Sequence, residues 1–254
     1  MLSSLRKIMD TKIIAEGREA GQAMDVLFDP VEWAVRYIIV DMGNWMKDKK
    51  VLIPMSLLMN NVDWSSKSFK LEIAKAKIED MPSLESVDLI SGEHEDEVHK
   101  YFGVPPYWVV GVTASMVPGF TPEDRAAGEG YEKEEDSSAD DNDAKGKLLR
   151  GKNLLEFVVS AVDEEVGTLK DLVFDVKTGR IHYMVIDAWN ITSHREVIIT
   201  TLLVKSIDIA ASSVIVDCDL EKIERSPDYF SFTKLDRKNE IKIHEHYGTR
   251  KYLE

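Results

Sequence analysis

An internal duplication constrains this chain more than any other feature. Sliding the 254-residue sequence by 146 positions aligns Gly21 with Gly167, Asp25 with Asp171, Phe28-Asp29 with Phe174-Asp175 and Tyr37 with Tyr183. It also aligns Asp41 with Asp187, Asn44 with Asn190, Val51 with Val197 and Ile53 with Ile199, nine identities over positions 20–54 without a gap. Unrelated stretches of ordinary composition would share about two or three. With a shift of 145 the match resumes: Lys77-Ile78-Glu79 meets Lys222-Ile223-Glu224, Glu95 meets Glu240, His99 meets His244 and Gly103 meets Gly248. A two-fold duplication is not a solenoid, which needs at least three short stacked units.

Each copy begins as β structure. In the second, Val158–Val162, Val166–Asp175, Arg180–Ala188, Glu196–Thr200 and Ser213–Asp219 carry the β-branched or alternating pattern of strands. In the first, the corresponding strands are Lys12–Ala15, Ala20–Asp29, Ala34–Met42, Lys50–Ile53 and Ser68–Ile73. Short antiparallel strands at this spacing predict a small barrel, which also removes exposed sheet edges. Helices follow: Ala74–Asp80 and Leu220–Arg225, each stopped before a proline, then Glu93–Phe102 and Asp236–Tyr247, each ending at a glycine. The predicted fold is mainly β: two small antiparallel β-barrels, each followed by short helices and related by internal duplication.

Between the copies, residues 119–147 hold ten acids and four bases, and the run from Glu129 to Asp143 has one aromatic residue and no aliphatic one larger than alanine. Such a stretch cannot bury enough apolar surface to offset its ordering entropy. The expected organisation is a first repeat at 1–118, an acidic flexible linker at 119–147 and a second repeat at 148–254.

The repeated motif resembles the PRC-barrel family. It reads Gly-x3-Asp-x2-Phe-Asp, then Tyr-(Ile/Met)-(Ile/Val)-(Val/Ile)-Asp, then Val-(Leu/Ile)-Ile, at Gly21–Ile53 and again at Gly167–Ile199. The segment Glu95-x3-His99-x-Tyr101-Phe-Gly103-Val-Pro-Pro-Tyr-Trp108 is similar to the stretch after the barrel in bacterial stand-alone members. The resemblance implies a protein-interaction module. Its known settings are the cytoplasmic domain of the photosynthetic reaction-centre H subunit, whose membrane helix is not seen here, and the C-terminal domain of a ribosome-maturation factor. The motif positions Gly21, Asp25, Phe28, Asp29, Tyr37, Asp41, Gly167, Asp171, Phe174, Asp175, Tyr183 and Asp187 are read as structural.

Function classes narrow by composition and pattern. A net charge of −14 disfavours direct contact with a nucleic-acid backbone. One cysteine, Cys218, rules out an intrachain disulfide, and it reads as a buried small apolar residue. No stretch approaches the ~20 apolar residues of a spanning helix, and the first residues lack a secretory apolar core, so a cytoplasmic protein is expected. Glu95/His99 and Glu240/His244 are i, i+4 pairs, and Glu245 and His246 enlarge the second set. The first copy has Tyr101 at the His246 position, so helix-face packing outweighs a metal site. Asp29 and Asp175 precede hairpin loops, where a carboxylate accepts backbone N–H bonds. No nucleophile–base pair, P-loop or dinucleotide-binding motif occurs.

These observations predict a non-enzymatic protein-binding or assembly module without metal or cofactor, whose copies form an intramolecular pseudo-dimer, with homo-oligomerisation possible. Alternatives are a soluble reaction-centre H-like accessory in electron transfer, a ribosome-assembly factor, or a metal-dependent enzyme built on His244 and His246. Phe28 and Phe174 are expected core anchors with Tyr37 and Tyr183 beside them. Tyr101, Tyr107 and Trp108 form the candidate interaction surface, because the second copy replaces this aromatic tail with His246, Tyr252 and Leu253.

Overall fold

The computed structural model describes residues 2–9, 11–43, 46, 49–58, 62–63, 67–71, 77, 80–84, 90–110, 147–192, 195–227 and 237–249. In chain order the first copy holds β1 (Leu2–Ser4), α1 (Leu5–Ile8), β2 (Lys12–Ala15), β3 (Arg18–Asp29), β4 (Ala34–Asp41), β5 (Lys50–Pro54), α2 (Met55–Leu58), β6 (Val62–Asp63), β7 (Ser68–Leu71), α3 (Gly92–Phe102) and α4 (Tyr107–Val110). The second holds β8 (Leu149–Arg150), α5 (Gly151–Leu154), β9 (Val158–Ser160), β10 (Glu165–Asp175), β11 (Ile181–Ala188), β12 (Arg195–Thr200), a 3-10 turn (Thr201–Leu203), β13 (Val204–Asp208), β14 (Ser213–Val216), α6 (Leu220–Glu224) and α7 (Arg237–Tyr247). The acidic stretch 119–147, apart from Lys147, lies outside the described residues, as do Asn44, Trp45, Trp64, Tyr252, Leu253 and most of the predicted helix Ala74–Asp80.

The protein is mainly β. Its two sheets have the same order, β5-β4-β3-β2-β7-β6 and β12-β11-β10-β9-β14-β13. In each, the last strands of the unit return to its first, pairing in parallel as β2–β7 and β9–β14. β13 has no counterpart among the predicted strands; its Val-Lys-Ser-Ile-Asp alternates too weakly to stand out.

Each sheet also takes in a strand from the other copy. β1 pairs with β10, setting Ser3 opposite Phe174, and β8 pairs with β3, setting Leu149 opposite Phe28. The short helices α1 and α5 then bury Leu5, Ile8 and Leu154 in the core. The exchange is reciprocal at residue level. Val35 N–H donates to Gly179 O at 2.8 Å, and its counterpart Ile181 donates to Trp33 O at 2.6 Å. One hydrophobic cluster therefore runs through both copies, from Phe28 and Val35 to Phe174 and Val185. Reciprocity of this kind is the mark of an isologous, two-fold interface.

Phe28, Phe174, Tyr37 and Tyr183 are all fully buried. Phe174 and Tyr183 belong to one cluster, whereas Phe28 and Tyr37 belong to different ones. A bulge between Leu27 and Phe28 pairs Phe28 with Val35 and Leu27 with Tyr37. In the first copy, Phe28 belongs to the cluster shared by both copies, whereas Tyr37 joins Leu27, Ile39, Leu52 and Val98 in a second cluster on the face that α3 covers. Alternation sends adjacent residues to opposite faces of a strand, and both faces are buried here.

Candidate functional site

The motif aspartates Asp25 and Asp171 build the seam between the copies, and the motif glycines let paired strands within each copy approach closely. At Gly21 a Cβ would stand 2.6 Å from Asp41 O, and at Gly167 it would collide with the backbone of Asp187 and Ala188, so the neighbouring strand tolerates no side chain. Four residues on, Asp25 is fully buried and accepts from its neighbour Val26 N–H at 2.8 Å. It also accepts from the incoming arm: Lys152 N–H at 3.0 Å and Arg150 Nε at 3.0 Å. Asp171 does the same for the other arm, accepting from Arg6 N–H at 3.1 Å and Leu172 N–H at 2.9 Å. Each carboxylate thus satisfies an unpaired N–H in the first turn of a helix from the other copy, where negative charge is favoured. Burial raises the Asp171 carboxyl above its ordinary range, against the opposing pull of hydrogen bonds from Arg6, Ser4 and Leu172.

The other motif aspartates hold turns. Asp29 Oδ1 accepts from Val31 and Glu32 N–H at 2.9 and 3.1 Å, and its second oxygen binds Arg36 Nη2 at 2.9 Å. Asp175 accepts from Lys177 N–H at 2.6 Å and Asp41 from Gly43 N–H at 2.8 Å. Asp187 instead pairs with Lys170 at 3.4 Å.

A second constellation repeats at the junction of tail helix and sheet. The helices α3 and α7 end at Gly103 and Gly248, whose φ values of 67° and 70° turn the chain out of the helix. In the first copy Tyr37 OH meets His99 Nε2 at 2.7 Å, His99 Nδ1 lies 3.3 Å from Val104 O, and Tyr107 OH donates to Glu95 at 3.1 Å. A carbonyl only accepts, so Nδ1 carries a proton there, while Nε2 faces the Tyr37 hydroxyl. In the second copy Tyr183 OH lies 3.0 Å from His244 Nε2 and 3.2 Å from Glu240, and His244 Nδ1 meets Thr249 Oγ1 at 2.8 Å. Burial first, and the Glu95 charge second, push Tyr37 and Tyr107 far above the usual phenol range. Both phenols stay protonated and act as donors. Glu95, His99 and His244 are themselves buried, so the i, i+4 pairs read from the sequence fasten each helix to its sheet.

His246 points elsewhere, with Nε2 2.7 Å from Lys222 O. The aligned Tyr101 repeats this link, donating its hydroxyl to Lys77 O. Among the described residues no group of three or more His, Cys, Asp or Glu side chains could hold a metal. Cys218 is buried, and burial pushes its thiol up to about 11, away from thiolate chemistry. A cleft of about 980 Å³ borders the β2–β3 turn; of its charged lining residues, Glu16, Arg18, Glu19 and Lys152 are exposed to solvent and Asp41 is half-buried.

The aromatic tail of the first copy is partly buried. Trp108 packs edge-on against Tyr107 at 4.8 Å and against His99 at 5.2 Å, and the Arg36 guanidinium lies 4.3 Å from the centre of the Tyr107 ring. The arms β1–α1 and β8–α5 have no counterpart among the predicted elements. Their signal is faint: Leu2 aligns with Leu148, Arg6 with Lys152 and Ile8 with Leu154, and each partner strand lies more than a hundred residues away.

No curated protein matches the chain. The family model described as PRC-barrel domain matches residues 2–78 and again 152–222, together more than half of the sequence. With the motif, the sheet order and the arm seam all repeated, the chain belongs to the PRC-barrel family and carries that domain twice.

Proposed function

We propose that this protein is a non-enzymatic assembly module of the cytoplasm, in which two PRC barrels form one scaffold that binds a protein partner through the aromatic tail of the first copy. The observation that carries the reading is how the ionisable side chains are used. Tyr37 bonds His99 and Glu95, and Tyr183 bonds His244 and Glu240, across the helix–sheet junctions, and Asp25 and Asp171 bond the exchanged arms. A catalytic site needs such groups converging on an accessible pocket. Tyr107 and Trp108 remain partly exposed on one copy, and paired aromatics of this kind are enriched at interfaces.

The test is affinity capture from the native cell with the wild-type chain and with Trp108→Ala, the captured protein being purified and re-tested for direct binding. Lost binding at an unchanged melting temperature supports the reading. Retained binding with a lowered melting temperature makes Trp108 a structural plug and overturns the proposed surface. A substrate turned over by the wild type and not by His99→Gln would overturn the non-enzymatic half. The captured protein also separates the narrower roles, since a photosynthetic membrane protein would point to an H-like accessory and a basic ribosomal protein to an assembly factor.

A further inference from the structure

We propose that the arm-exchange seam is keyed, so that a first copy pairs with a second copy and like copies are refused. Leu5 and Gly151 are equivalent positions under the 146-residue shift, and each opens the short helix of its arm. They meet each other across the pseudo-two-fold. A Cβ on Gly151 would stand 2.7 and 3.1 Å from the two Cδ atoms of Leu5 and 2.9 Å from Val26 Cγ2. The leucine is fully buried and fills the space that glycine leaves. Two first copies would bring Leu5 against Leu5, with no vacancy to receive either side chain. Two second copies would bring Gly151 against Gly151, leaving the volume of a leucine side chain empty. Close-packed interiors tolerate neither.

A second key lies one residue earlier. Arg150 brings a cation to the buried Asp25 at 3.0 Å, and the equivalent Ser4 brings a hydroxyl to Asp171. Pairing two first copies would place Ser4 beside Asp25 and leave that buried carboxylate without its cation. Size therefore acts against both wrong pairings, and charge acts against one of them. The partner that fits each arm groove is the arm of the unlike copy, whether it comes from the same chain or from a second chain that has exchanged halves.

The test is a mutant cycle in the full chain: Leu5→Gly, Gly151→Leu, and the double variant that moves the knob to the other arm. Both single variants should melt below the wild type and be cut faster by trypsin at Arg150 and Lys152. The double variant should regain at least half of the summed loss in melting temperature, because the pair of volumes is restored. Loss in the double variant equal to or greater than the sum overturns the proposal. Should Gly151→Leu fail to fold, the milder cycle of Leu5→Ala and Gly151→Ala applies. Gly151→Ala should then cost less melting temperature in the Leu5→Ala background than in the wild-type chain, and an equal or larger cost in that background overturns the proposal.

Discussion

Replacing Asp25 by alanine tests whether the exchanged arm holds the two copies together. The carboxylate has no exposure and receives three bonds: Val26 N–H at 2.8 Å, Lys152 N–H at 3.0 Å and Arg150 Nε at 3.0 Å. Alanine leaves two backbone donors unpaired and a guanidinium facing an apolar gap. Removing one partner of a buried charge pair costs about 3–5 kcal/mol. Arg150 keeps 19% of its side chain exposed and so retains some access to water, which places the loss at the lower end. In a chain of this size each kcal/mol moves the melting temperature by about 2–4 °C, so a fall of about 6–12 °C is expected. Circular dichroism on heating reads the global loss. Trypsin reads the local one, because Arg150 and Lys152 lie on the arm and become cleavable once α5 detaches. A change below about 0.5 kcal/mol, with cleavage at these sites unaltered, would mean that the arm is not anchored by this carboxylate and would refute the argument.

Phe174→Ala should cost about 3–5 kcal/mol by urea denaturation, since the ring is buried in the cluster shared by both copies. Gly167→Ala should lower the melting temperature more than Gly103→Ala: the first drives a Cβ into the Asp187 backbone, whereas the second meets open space and loses only the freedom of a left-handed turn, about 1 kcal/mol. The Asp171 carboxyl is raised above its ordinary value of 3.8, so the folded state holds its proton more tightly than the unfolded one. Its contribution to stability is present below that ordinary value and is lost as pH rises through the raised one. Asp171→Asn should therefore be neutral or stabilising at pH 7, where Asp25→Asn destabilises, and a comparison of melting temperatures decides it. Burial lowers His182 from 6.5 to about 4, so between those values the unfolded chain binds more protons and stability falls on acidification by up to about 3 kcal/mol. His182→Gln should flatten the melting curve against pH over that window, and an unchanged slope would exclude this histidine as its source.

Local pattern was enough to read the duplication, most of the strands and the helix ends. Val166–Asp175 and Lys50–Ile53 are strands within a residue or so, because β-branched runs bounded by turn residues leave few other conformations. Gly103 and Gly248 stop their helices at the predicted positions, because a left-handed turn is cheap only for glycine. Asp29 and Asp175 accept turn N–H groups, as residues placed before hairpin loops are expected to do.

Tertiary structure decided what those elements are for. The Leu27/Phe28 bulge sends Phe28 and Tyr37 to opposite faces, and a bulge leaves no mark on composition. Glu95 and His99 could be read as one helix face, but only packing of α3 on the sheet brings Tyr37 to 2.7 Å from the imidazole. The arms were invisible for the same reason: Leu2–Ile8 is too short to show periodicity, and its strand partner lies in the other copy. Asp25 and Asp171 were legible as repeated positions but not as anchors of those arms. Periodicity reports how a segment meets its own neighbours, whereas the bonds that join these copies link residues more than a hundred positions apart, and chain closure over that distance writes no local pattern.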